Sequence, residues 1–160
     1  MSLLSNAIIA EAKRYIGVVE QPKNSNRGRE IDYWIREAGL DPAGGHPWCA
    51  AFVGQIGRQV LGYRWPAPRT ASVMTLVAWA AAKPGVLVEF SPLPGDLFVL
   101  WNEKLNRFAH VGIVTALTKS GYETIEGNTN DGGSRDGYGC FARHRALHPR
   151  DRFIHWEAAV

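Results

Sequence analysis

Cysteine is scarce in this chain, with two in 160 residues. Two thiols cannot build the disulfide framework of a small secreted fold, so Cys49 and Cys140 are expected to be free. Long hydrophobic runs are missing as well, and nothing approaches the roughly 20 apolar residues that a membrane-spanning helix requires. The opening stretch, Met1 to Ala10, has no basic segment ahead of its apolar residues and meets Glu11 at once, which is not the pattern of a secretory signal. The chain therefore reads as one made in the cytoplasm in soluble form. Blocks of one charge sign are absent too. The net charge is +3 and the isoelectric point about 9.0, which favours approach to an acidic polymer. The charges are interspersed, however, and no basic stripe points to nucleic acid. No repeat, linker or low-complexity tract divides the sequence, and a hydrophobic content of 46% suffices for one core. The expectation is one domain over residues 1–160, monomeric and without a cofactor.

What is present is a change of period part-way along. Ile8, Ala12, Tyr15 and Ile16 make a helical stripe that Ser5 or Asn6 can cap and Gly17 can end. Glu20 to Gly28 is turn chemistry. A second helix runs through Ile31, Trp34, Ile35 and Ala38 to Gly39, and a third occupies the stretch after His46 to about Gly62, with Gly54 and Gly57 indicating close packing. A fourth starts at Thr70 or Ser72, passes through Val73, Leu76, Val77 and Ala80, and stops at Pro84-Gly85. Beyond it lie short β-rich runs at 86–90, 96–101, 108–117, 122–128, 138–144 and 153–156, separated by Pro, Gly and Asn. Helices followed by strands imply an α+β fold, with N-terminal helices packed on a mostly antiparallel β-sheet.

The third helix carries the chemistry. In His46-Pro47-Trp48-Cys49-Ala50-Ala51-Phe52-Val53 a proline just inside the helix start would place Cys49 in the first turn. That end of a helix presents unpaired N–H groups and a positive dipole end, which suit a thiolate and a developing oxyanion. The plainer reading is a small buried core residue. His110, in Ala109-His110-Val111-Gly112-Ile113-Val114, falls on a strand, and alternation groups it with Gly112 and Val114. Gly112 leaves room for a group to approach the ring. A strand histidine can serve as a general base, or can be a half-exposed residue with no such role. On the next strand Glu126-Gly127-Asn128 puts two polar side chains on one face by the period of two. A carboxylate or an amide oxygen there can accept from the second imidazole N–H of a cysteine hydrolase. The alternative is a strand end entering the turn Thr129-Asn130-Asp131-Gly132-Gly133.

Four blocks in this order, Pro47-Trp48-Cys49-Ala50-Ala51-Phe52-Val53, Pro94-Gly95-Asp96-Leu97, His110-Val111-Gly112-Ile113-Val114 and Glu126-Gly127-Asn128-Thr129, resemble the CHAP family of cysteine, histidine-dependent amidohydrolases/peptidases. Each block is weak alone; together they are specific, and the resemblance extends from about Ala7 to beyond Asn128. It implies a papain-like fold and cleavage of amide or peptide bonds in bacterial peptidoglycan, as an endopeptidase or an N-acetylmuramoyl-L-alanine amidase. Carried over residue by residue, it makes Cys49 the nucleophile, His110 the base and then the acid, and Glu126 or Asn128 the group that orients the imidazole. Glu20, Ser25 and Asn26 resemble a family block ahead of the cysteine, which makes all three candidate groove residues. The Asp-rich calcium loop of some relatives is not matched at Pro22 to Gly28, so no metal is implied. The setting this suggests is a phage lysin acting on the wall after release or delivery, with an injected toxin or a tail-associated enzyme as alternatives.

Gln21, upstream of the nucleophile, is the candidate second oxyanion donor. Trp48 and Trp65 flank the expected cleft and could line it for a sugar or peptide, or simply pack. His144 and His148 are spaced like a zinc pair, but no third and fourth ligand stand out. Two functions of another kind stay open: a non-catalytic module that binds peptidoglycan or a protein on the same fold, and a thiol enzyme that transfers an acyl group to an amine.

Overall fold

The computed structural model describes residues 1–130 and 137–160; of the turn expected after β-rich run 122–128, Asp131, Gly132 and Gly133 lie outside the described residues. Four helices come first, α1 (Leu3–Lys13), α2 (Arg29–Glu37), α3 (Cys49–Leu61) and α4 (Val73–Ala81). The strands follow as β1 (Leu87–Val88), β2 (Leu97–Asn102), β3 (Arg107–Thr118), β4 (Gly121–Thr129), β5 (Gly139–Arg145) and β6 (Arg152–Ile154). They form one antiparallel sheet in the order β1-β6-β2-β3-β4-β5, an α+β arrangement. Strand β6 returns from the end of the chain to separate β1 from β2. Trp156, expected at the end of that strand, instead opens a 3-10 turn over Trp156–Ala159.

Alternation along the strands divides the sheet into two apolar faces. Leu97, Val99, Val111, Ile113, Ile125 and Ile154 join the buried residues of the four helices in the main core. Phe98, Val114, Tyr122 and Phe153 form a smaller cluster. Helix α3 is the centre of the main core: Ala50, Ala51, Phe52 and Ile56 are fully buried, and Trp34 of α2 packs on Phe52 with ring centroids 5.3 Å apart and on Trp48 at 5.4 Å. Large side chains such as Phe52 and Ile56 each contribute about 1.5–3 kcal/mol by leaving water, so the N-terminus of α3 is anchored by the core rather than by propensity.

The helix starts differ in detail from the sequence expectation. Ser2, not Ser5 or Asn6, caps α1, its Oγ accepting from Ser5 N at 2.9 Å, because Leu3 and Leu4 already continue the helical stripe. Pro47 lies outside α3, whose N-cap is Trp48 and whose first residue is Cys49. The Pro94-Gly95-Asp96-Leu97 block is a structural clasp. Asp96 Oδ2 accepts from Leu93 N (2.6 Å) and contacts His155 Nδ1 (2.7 Å), while the Gly95 carbonyl accepts from Trp156 Nε1 (2.7 Å). The end of the chain is thereby tied to the start of β2.

Candidate active site

Two β-bulges and a helix start bring the polar residues together. In β3, Leu100 pairs with His110 and Trp101 with Phe108, leaving Ala109 without a partner opposite. In β4, Glu126 pairs with Phe141 and Thr129 with Gly139, so Gly127 and Asn128 stand against Cys140 alone. Such extra residues re-aim neighbouring side chains, and they recur beside functional sites.

Glu126 is fully buried, which an ionised carboxylate tolerates only when paired and hydrogen-bonded. It has four contacts: Oε2 with His110 Nε2 at 2.7 Å and Arg145 Nη2 at 2.6 Å, Oε1 with Arg145 Nε at 2.8 Å and Thr124 Oγ1 at 2.6 Å. Burial by itself would push this carboxyl up, but the Arg145 guanidinium and His110 hold it well below the usual carboxylate range. Gly112 makes the approach possible, since a Cβ there would lie 2.9 Å from Glu126 Cγ and 2.7 Å from Phe98 Cε1.

With Nε2 engaged by Glu126, the His110 ring also interacts with the Cys49 side chain, and both line the same cleft. Burial alone would lower the imidazole, yet the hydrogen bonds with Cys49 and Glu126 raise it from 6.5 to about 9. Cys49 is the first residue of α3, so its N–H has no carbonyl one turn back to bind. Thiol, imidazole and carboxylate thus stand in the order that proton transfer from sulfur to nitrogen requires, beside a free helix N-terminus. A cleft of about 680 Å³ opens onto Cys49 and His110.

Of the Glu126 and Asn128 pair, it is Glu126 that meets the imidazole. The bulge ends the alternation at Gly127, Asn128 takes a left-handed backbone (φ 55°), and its side chain serves the helix start. Oriented to satisfy both neighbours, its amide donates to Gly137 O (3.0 Å) and accepts from Trp48 N (3.2 Å). Asn128 therefore takes up the backbone N–H just before Cys49, which Trp48 cannot cap itself.

Other expected groove residues are structural. Trp48 is fully buried and donates from Nε1 to Glu20 Oε1 at 2.9 Å, while Glu20 Oε2 accepts from Asn26 N at 3.0 Å. Asn26 Nδ2 reaches Gly45 O at 3.0 Å. Glu20 and Asn26 still border the cleft, but as a clamp between the 20–28 loop and the entry to α3. Trp65 is buried against Trp156, centroids 5.1 Å apart, and like Trp48 it offers no surface to the cleft because the core has taken it up. Gln21 is exposed and is not among the residues that line the cleft. His144 bonds to the Thr118 and Ser120 hydroxyls at 3.2 and 3.1 Å. Cys140 is fully buried on β5, and burial pushes its thiol up to about 12. Among the described residues no group of three or more His, Cys, Asp or Glu side chains comes together as a metal site, and no described helix is long and apolar enough to cross a membrane.

The CHAP domain family model matches residues 41–128, over half of the chain, and its span holds Cys49, His110 and Glu126. The chain belongs to the CHAP family. CHAP domains are generally cysteine- and histidine-dependent amidohydrolases or peptidases, and membership implies peptidoglycan hydrolase or amidase-type chemistry in general. A solved structure, described as the crystal structure of Ly7917, is similar in fold, with a TM-score of 0.54 at 14% identity over 94% of this chain. This CHAP chain spans 61% of the length of that one. No curated protein matches the sequence. Arg145 and Thr124, which hold Glu126, were not singled out from the sequence, and Arg145 lies beyond the family match. The usable signal was Arg143 and Arg145 at a spacing of two on a strand next to a glutamate that has to be buried.

Proposed function

We propose that this CHAP domain, taken as one unit over residues 1–160, is a cysteine hydrolase that cleaves an amide or peptide bond in bacterial peptidoglycan. The observation that carries the reading is the chain of contacts from Cys49 through His110 to a buried, ionised Glu126 at the floor of an open cleft. In the mechanism, His110 takes the proton from Cys49 Sγ and the sulfur attacks the scissile carbonyl carbon. The oxygen gains negative charge and accepts from the Cys49 N–H. The C–N bond then breaks as His110 returns its proton to the leaving amine, giving a thioester. Water attacks that thioester, His110 receives the water proton, and its return to sulfur regenerates the thiol with release of the carboxylic acid. Glu126 remains ionised throughout and stabilises the imidazolium. Within this chemistry we favour a lysin; the basic isoelectric point of about 9.0 suits approach to an anionic wall polymer.

The test is mass spectrometry of fragments released from purified peptidoglycans of several chemotypes, by the protein and by protein treated with iodoacetamide. New amine and carboxylate ends from the untreated protein alone are expected, their masses identifying the bond. Alkylation is directed to Cys49, which lines the cleft, because Cys140 has no exposed surface and burial keeps its thiol protonated. Equal release by both samples would contradict a thiol mechanism, and release by neither would favour a binding module. With an added amine nucleophile, products should stay hydrolytic; capture of the amine would mark an acyltransferase.

A further inference from the structure

Among the described residues, the charged side chains that line the cleft are Glu20, Arg107, His110 and Arg145. Three of them are committed inside the protein. Glu20 has both oxygens occupied, by Trp48 Nε1 and Asn26 N; Arg145 gives two donors to Glu126; His110 lies between Glu126 and Cys49. Arg107 is different. It is exposed, it makes no ion pair among the described residues, and its hydrogen bond is a long one of 3.4 Å to the carbonyl of its neighbour Phe108. Several arginines elsewhere are held in ion pairs, as in Arg27–Asp32, Arg69–Glu37, Arg150–Glu103 and Arg152–Glu89, but none of these lines the cleft.

The bulge at Ala109 explains why Arg107 faces the cleft at all. Three residues apart on a regular strand, Arg107 and His110 would point to opposite faces. The extra residue restores the phase: Arg107 pairs with Asn102 and His110 with Leu100, and Asn102 and Leu100 share one face of β2. Arg107 is thereby set two strand positions, about 7 Å, from His110 and on the same side. A guanidinium binds a carboxylate in a charge-assisted, two-point geometry that a carboxamide cannot reproduce.

We propose that Arg107 is a specificity-determining residue that selects substrates bearing a carboxylate within about one residue of the scissile amide. The proposal rests on the hydrolase reading above. Besides the terminal carboxylate, peptidoglycan stems offer two such groups that occur either as the acid or as the amide, the α-carboxyl of the D-glutamyl residue and the second-centre carboxyl of diaminopimelate.

The experiment uses four stem peptides, acid or amide at each of these two positions. Affinity is measured by calorimetry on Cys49→Ala, and kcat/KM on the parent and on Arg107→Gln. Tighter binding and faster turnover of the acid by about tenfold is expected at one of the two positions, which identifies the source. The preference should shrink as ionic strength rises from about 0.01 to 0.15 M, where the screening length falls from about 30 to 8 Å. Arg107→Gln should reduce the ratio to within about twofold, chiefly through KM, and Arg107→Lys should retain part of it. An acid-to-amide ratio near one in the parent, or a ratio that survives in Arg107→Gln, would overturn the proposal. If the parent cleaves none of the peptides, the hydrolase reading fails separately. The binding comparison on Cys49→Ala then still decides for or against Arg107, and failure of that variant to bind any of the four counts against it.

Discussion

Glu126→Gln is expected to lower kcat by about a thousandfold while leaving KM within a few-fold of the parent. The amide keeps the size of the carboxyl group and can still accept from His110 Nε2, but it carries no charge to stabilise the imidazolium. Its effect should also be visible without substrate. The hydrogen bond and charge of Glu126 both raise His110, which stands at about 9; removing the charge should bring the imidazole down toward its ordinary 6.5. Because the folded-state value is raised, the stability contributed by protonated His110 is full below about 6.5 and is lost as pH climbs through about 9. In Glu126→Gln that loss should occur at lower pH. Stopped-assay kinetics and NMR titration of the ring nitrogens measure the two effects. A variant with kcat within tenfold of the parent and His110 still titrating near 9 would remove Glu126 from the orienting role.

Arg145→Met should destabilise the fold by about 3–5 kcal/mol, the usual result of stranding one member of a buried ion pair. Glu126, itself fully buried, would keep only His110 and Thr124 as partners. The double variant Arg145→Met/Glu126→Leu removes the stranded charge as well and should recover most of that loss, since a buried pair exchanged for apolar groups is often neutral. It should nevertheless be inactive. Urea unfolding of parent, single and double variants, beside turnover, separates what this pair does for folding from what it does for His110. A single Arg145→Met variant as stable as the parent would show that Glu126 does not depend on the guanidinium.

Much of this architecture was legible in the residues because it follows from period. The four apolar stripes and the later change to short alternating runs gave the α+β class, and α3 begins at Cys49. Gly112 fits between Phe98 and Glu126 as the room beside His110 suggested. What stayed hidden is what breaks the period. Strict alternation placed Asn128 beside Glu126, but the bulge at Gly127 and Asn128 turned the amide to Trp48 N. Arg107, just ahead of the expected run 108–117, drew no reading at all, and only the bulge at Ala109 brings it onto the face of His110. Partners distant in sequence were equally hidden: Arg145 is 19 residues from Glu126, and Trp48 lies 28 from Glu20. The tryptophans stayed open for a simple reason. A large aromatic next to a nucleophile can line a groove or fill a core, and around α3 the demand for packing prevailed.

The central claim is that Cys49 attacks the substrate. Its direct test is to mix the protein with a stem-peptide substrate, quench in acid within the first turnovers, and map the adduct by mass spectrometry. A thioester on Cys49 is expected, heavier than the parent by the substrate less its leaving amine, decaying as hydrolysed product appears and absent from Cys49→Ala, which should cleave nothing. Cleavage by Cys49→Ala at the parent rate, or an adduct on any other residue, would contradict it.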